Sequence, residues 1–167
     1  FVGVRGRKVT ASVELPGEEI EKQLHTTPKR MEDYWRMSAL GGVMSGSIGV
    51  QGHYANGLAA LYLATGQDAA CVAESAVGVT RMELREGSRL FVSVTLPNII
   101  AGTVGGGTGL PTQSAGLNIM GLKGAGKARV FGEVCAALCL AGELSIIGAL
   151  CAHEFASAHK NLARGKA

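Results

Sequence analysis

The chain has 167 residues, a length that suits one domain with a real core. Charged residues make up 17%, apolar residues 47% and aromatics only 5%, with 25 glycines, a mix that points to helices packed closely through small side chains. The net charge of +3 is too weak to argue for nucleic acid, and Cys71, Cys135, Cys139 and Cys151 form no CxxC pair, which argues against a zinc ribbon or redox motif and for buried thiols in a reducing compartment.

The alternating run from Arg7 to Leu15 predicts a strand that ends at Pro16. Early acids after Pro16 predict a helix to about Leu24. Thr27-Pro28 opens a second helix, roughly from Lys29 to Met37. A glycine-dense stretch follows (Gly41, Gly42, Gly46, Gly49, Gly52). Tyr54 to Thr65 is strongly helical with Gly66 as its stop, and the pattern extends that helix back to about Ser47. A short helix from Asp68 to about Ser75 comes next. Gly78 to Arg85 and Arg89 to Thr95 read as two strands around a turn at Glu86-Gly87-Ser88. From Ala125 to Ala163, apolar residues recur at threes and fours without a proline, which predicts one or two long buried helices. Glu133 and Glu143 interrupt its most apolar part, Val130 to Ala152, leaving uncharged runs around Glu143 about half as long as a membrane span needs. No signal-peptide pattern occurs, and an opening on Phe1-Val2-Gly3 reads as a piece of a longer protein.

Between the last strand and the long helix lies GTVGGGTGLPTQ, from Gly102 to Gln113. It is not a phosphate loop, because Gly107 is followed by Thr108 and no Lys; Gly105-x-Gly107 followed by Leu110 also fails the dinucleotide pattern. Its remaining role is steric: either bare backbone for a ligand, or a tight turn beneath a neighbouring helix. Asp68, just past the Gly66 stop, reads as an N-cap for the following helix or as a functional carboxylate. His53 and Asn56, three apart, are expected to share a helix face. His153 and His159, six apart on the last helix, point to different faces and form no metal pair; no metal site is expected.

Taken together, HYAN, ATGQDAA, GTVGGGTGLPTQ and GELSIIGAL…AH resemble the C-terminal half of the catalytic domain of 3-hydroxy-3-methylglutaryl-coenzyme A reductases, closer to class I than class II, from about Arg5 to Arg164. The resemblance implies an α+β fold: a small, mostly antiparallel sheet packed on a buried small-residue central helix and long C-terminal helices. It implies that residues 1–167 are part of the large substrate domain, with the nicotinamide-cofactor domain outside the chain. It further implies reduction of HMG-CoA to mevalonate with two hydrides from NADPH, a homo-oligomer with shared sites, and a cytoplasmic location. Among the family's catalytic Glu, Lys, Asp and His, the Asp falls on Asp68 and the His on His159, while the Glu and Lys lie upstream of residue 1. His53 and Asn56 match positions on the substrate and CoA side, and Gly105, Gly106 and Gly107 match the turn beside the thioester and nicotinamide. A buried Asp beside a cationic Lys would stabilise charge on the reacting oxygen, and a His near the sulfur would protonate the leaving thiolate.

Several positions depart from the family pattern. A substrate-contacting Lys is replaced by Met37, or by Arg36 with a one-residue shift, and a CoA-contacting Lys by His25. The position of the animal enzymes' regulatory Ser is Gly165. Without the upstream Glu and Lys, this segment alone is expected to be inactive. The alternative is a catalytically incomplete scaffold, dimerisation or acyl-CoA-binding module.

Overall fold

The computed structural model describes residues 5–48, 50–157 and 160. Strand β1 (Arg7–Leu15) half-buries Val9, Ala11, Val13 and Leu15 on one face and exposes the alternate residues, as a pleat with one covered side demands. Helix α1 (Gly17–Leu24) follows Pro16 and stops where His25 turns left-handed at φ 52°. The Thr27 hydroxyl accepts the Arg30 N–H at 3.3 Å and caps α2 (Pro28–Met44), with Pro28 in its first turn.

This helix outruns its expected end near Met37. Gly41 and Gly42 stay helical, and Gly42 is buried under Val50, which occupies the space a Cβ would need. The stop falls instead at Gly46, with φ 73°. Conversely, α3 (Tyr54–Thr65) does not reach back to Ser47. Residues 50–53 are held outside the helix by side chains: the Gln51 amide donates to the Gly78 carbonyl at 2.9 Å, and the His53 N–H donates to Glu143 at 2.8 Å. The predicted short helix is α4 (Cys71–Ser75), preceded by a turn.

Strands β2 (Val79–Arg85) and β3 (Arg89–Ile99) form the expected hairpin, with Gly87 and Ser88 both at positive φ. The sheet is three-stranded and antiparallel, in the order β1-β3-β2. Central strand β3 runs past Pro97 to Ile99. It can do so because β2 pairing ends at Thr95 and β1 pairing is irregular between Arg7 and Val9, so the missing proline N–H breaks no regular ladder. After a short 3-10 turn at Gly106–Gly109 come α5 (Pro111–Ile119) and the 24-residue α6 (Ala128–Cys151).

Helix α6 lies against β1, β3, α2 and α3. Phe131, Cys135 and Cys139 join Tyr54, Leu58 and Tyr62 of α3 and Leu90, Val92, Val94 and Leu96 of β3 in one core. Among the described residues, α6 is the helix long and apolar enough to cross a bilayer by length and composition, and here it is the central packing element. All four cysteines are free thiols. Burial pushes the Cys135 and Cys139 thiols up to about 12, so neither is a nucleophile at neutral pH.

Candidate active site

The glycine patch and the Asp68 turn are joined by one side chain. Gln67 Nε2 donates to the Gly102 carbonyl at 2.9 Å, and the Gly102 N–H donates back to Gln67 Oε1 at 2.8 Å. Beside this two-way amide bond, Gly66 (φ 70°) and Gly107 meet backbone to backbone, and a Cβ on Gly66 would overlap the Gly107 carbonyl. Thr108 braces the turn from within, its hydroxyl donating to the Gly105 carbonyl at 2.6 Å. Gly105 (φ 77°) and Gly106 (φ 54°) face the other way: nothing lies within 4 Å of a Cβ at either. Gly107 thus serves close packing, while Gly105 and Gly106 leave their backbone uncovered among the described residues.

Asp68 Oδ1 accepts the Ala70 N–H at 3.0 Å, and the Asp68 carbonyl accepts the Cys71 N–H at 3.0 Å. The residue thus caps the turn that leads into α4. Its side chain is exposed. The expected burial beside a lysine is not met inside this chain, where the nearby cation is Arg5. That guanidinium is ion-paired with Glu74 at 2.5 Å and is held above its ordinary value chiefly by Glu74, with a smaller contribution from the Asp68 charge.

His53 and Asn56 differ in position and exposure. His53 precedes the first residue of α3, with φ −117° and ψ −20°, and is half-buried, whereas Asn56 is exposed. The imidazole sits between two glycines, Gly57 on α3 and Gly142 on α6; a Cβ at either would overlap the ring. Its Nδ1 is buried without a hydrogen-bond partner among the described residues.

Glu143, next to Gly142, is 2% exposed. Its Oε1 accepts the His53 N–H at 2.8 Å, and its Oε2 accepts the Thr80 hydroxyl at 3.1 Å, which in turn meets the Tyr54 hydroxyl at 2.8 Å. Burial pushes the Glu143 carboxyl above its ordinary value, against the pull of hydrogen bonds from His53, Thr80 and Gly52. The same carboxylate forms part of the wall of a mainly apolar cavity of about 280 Å³, lined also by Trp35, Val43, Gln51, Ile146 and Leu150.

The other expected residues sit elsewhere on the surface. Arg36 donates to Glu32 at 3.0 Å along α2, and the same Glu32 oxygen accepts the Leu84 N–H at 3.1 Å. His25 Nδ1 lies 3.1 Å from Glu154, and the Arg30 guanidinium donates to His153 Nε2 at 3.0 Å. These two pairs fasten the α1–α2 corner to the end of α6, where His153 takes φ 61°. His159 lies outside the described residues. The structure thus holds the turn that carries Asp68 beside the glycine patch through Gln67 and Gly66, leaves Asp68 itself exposed, and seats the His53 ring against α6.

Glu143 and Gln67 were not among the expected site residues. A lone carboxylate in the middle of an apolar helix was a usable signal for Glu143, since buried charge demands partners. Gln67 carried no signal beyond its place beside Asp68.

Exposed glycine backbone beside the Asp68 turn, on a three-stranded antiparallel sheet packed with helices, defines the class: an α+β protein. Comparison with known proteins narrows it. Residues 1–164 match the hydroxymethylglutaryl-coenzyme A reductase family, and the chain belongs to that family. It is 46% identical over 162 residues to a protein of Methanothermobacter thermautotrophicus named 3-hydroxy-3-methylglutaryl-coenzyme A reductase, covering 96% of this chain and 41% of that one. Proteins of the same name from Haloferax volcanii and Camptotheca acuminata are 45% and 40% identical, over 96% and 93% of this chain and 41% and 28% of their own lengths. The chain spans about two fifths of the length of the archaeal relatives it matches.

Proposed function

We propose that this chain is part of an NADPH-dependent oxidoreductase that reduces HMG-CoA to mevalonate, a step of isoprenoid biosynthesis, as a cytoplasmic homo-oligomer with shared sites. The observation that carries this reading is the Gln67 clasp, which fixes the Asp68 turn against an open glycine ledge. The bare, outward-facing Gly105 and Gly106 fit a flat ring and a thioester laid against backbone. When bound, the nicotinamide supplies hydride.

Asp68 supplies the negative charge that keeps a neighbouring ammonium protonated while charge builds on the carbonyl oxygen. His159 donates a proton to the thiolate once the hemithioacetal collapses, so that CoA leaves as a thiol. His53 and Asn56 contact substrate or CoA, and His25 and Arg36 lend positive charge to the CoA side.

The test uses the complete protein that carries this chain. Asp68→Asn should abolish reduction of both HMG-CoA and free mevaldehyde, by about 1,000-fold, the scale of losing an oxyanion-stabilising group. His159→Gln should impair HMG-CoA reduction far more than mevaldehyde reduction. Equal losses on the two substrates overturn the thiolate-protonation role. A wild-type protein that binds CoA thioesters but turns neither substrate over replaces this reading with the binding-module alternative.

A further inference from the structure

We propose that Glu143 is a positioning residue: its buried carboxylate holds the His53 backbone while the adjacent Gly142 receives the His53 ring, so that one turn of α6 sets the direction of that imidazole. The inference rests on the proposed function for what the imidazole contacts, but its geometry stands apart from it.

His53 immediately precedes α3: its carbonyl accepts the Gly57 N–H at 2.9 Å, while its own N–H lies outside the helical ladder. Its N–H is instead taken by Glu143 Oε1 at 2.8 Å. The same carboxylate reaches Thr80 on β2 at 3.1 Å, and Thr80 reaches the Tyr54 hydroxyl at 2.8 Å, so the clamp is anchored on the sheet and on α3 as well. All of these groups except His53 are buried, and buried polar networks with matched partners are rigid. The ring lies against both Gly57 and Gly142, closely enough that a Cβ on either would overlap it. A residue held at its backbone N–H and along its ring has fewer orientations open to it, which is what a group that must meet a ligand needs.

The test is a double-substitution cycle in the complete protein, reading kcat/KM for the thioester alongside unfolding midpoints. Glu143→Ala should lower kcat/KM about 100-fold, the scale of a misplaced site group. Glu143→Gln keeps an acceptor for the His53 N–H and should stay within about threefold of wild type. In a His53→Ala background, where no ring remains to be aimed, Glu143→Ala should cost less than about threefold more. Equal losses in both backgrounds overturn the proposal, and so does a Gln variant as damaged as the Ala variant.

If the complete protein reduces no thioester, the proposed function fails, and the clamp is judged from hydrogen exchange at the His53 amide. Acceleration of about tenfold or more in Glu143→Ala supports it, and unchanged exchange overturns it.

Discussion

Two glycine-bearing regions of this molecule put the same residue to opposite uses. At Gly142 the missing side chain is replaced by another residue: the His53 ring fills the space. At Gly105 and Gly106 the missing side chain is replaced by nothing, and the backbone turns its bare face outward at positive φ. The first arrangement is a packed joint inside the core and the second is an open surface. Glycine content alone could not separate them; what separates them is whether a neighbouring element supplies a side chain to fill the gap.

The sharpest way to break the contrast is Gly142→Ala. The added methyl overlaps a ring that Gly57 blocks from behind, so the variant should lose about 3 kcal/mol or fail to fold. Chemical denaturation measures this, and an unchanged midpoint would show that the ring can swing clear.

The matching change on the ledge, Gly106→Val, meets no neighbour within 4 Å but forces a branched residue to φ 54°. It should cost about 1–2 kcal/mol of stability and should raise the KM for the thioester about tenfold or more by occupying the approach space. If KM stays at the wild-type value, the ledge is not where the ligand lies.

The smallest effect concerns the clamp's charge. Burial holds the Glu143 carboxyl above its ordinary 4.5. Folding therefore favours the protonated form, so its contribution is complete below about 4.5 and is lost as pH rises through the elevated value. Glu143→Gln cannot ionise, and its stability relative to wild type should grow as pH climbs past about 4.5. Urea midpoints of the two proteins across that window would contradict this if the gap stayed flat or narrowed.

Much of the scaffold was legible because its signals are local. Strand β1 could be read from alternation alone, and α1, the β2–β3 hairpin and α6 from breakers and spacing. The errors cluster where tertiary contacts override local preference. Gly41 and Gly42 looked like a helix end, yet Val50 packs on Gly42 and the helix continues to Met44. Tyr54 looked like the middle of a helix, yet Gln51 and His53 spend their polar groups on the Gly78 carbonyl just before β2 and on α6 instead. The pairing of Asp68 with the glycine patch came from resemblance, since no local pattern ties residues so far apart. Gln67, which makes that tie, has no periodic signature, and Glu143 was visible only as an interruption in an apolar run.

The reciprocal amide contact between Gln67 and Gly102 has a mechanical consequence. Two surface loops linked by paired donors and acceptors, with glycine backbones in contact behind them, translate as one piece. If the ledge takes a ligand as proposed, this piece serves as the fixed anvil of the site, and any closing movement comes from another part of the protein.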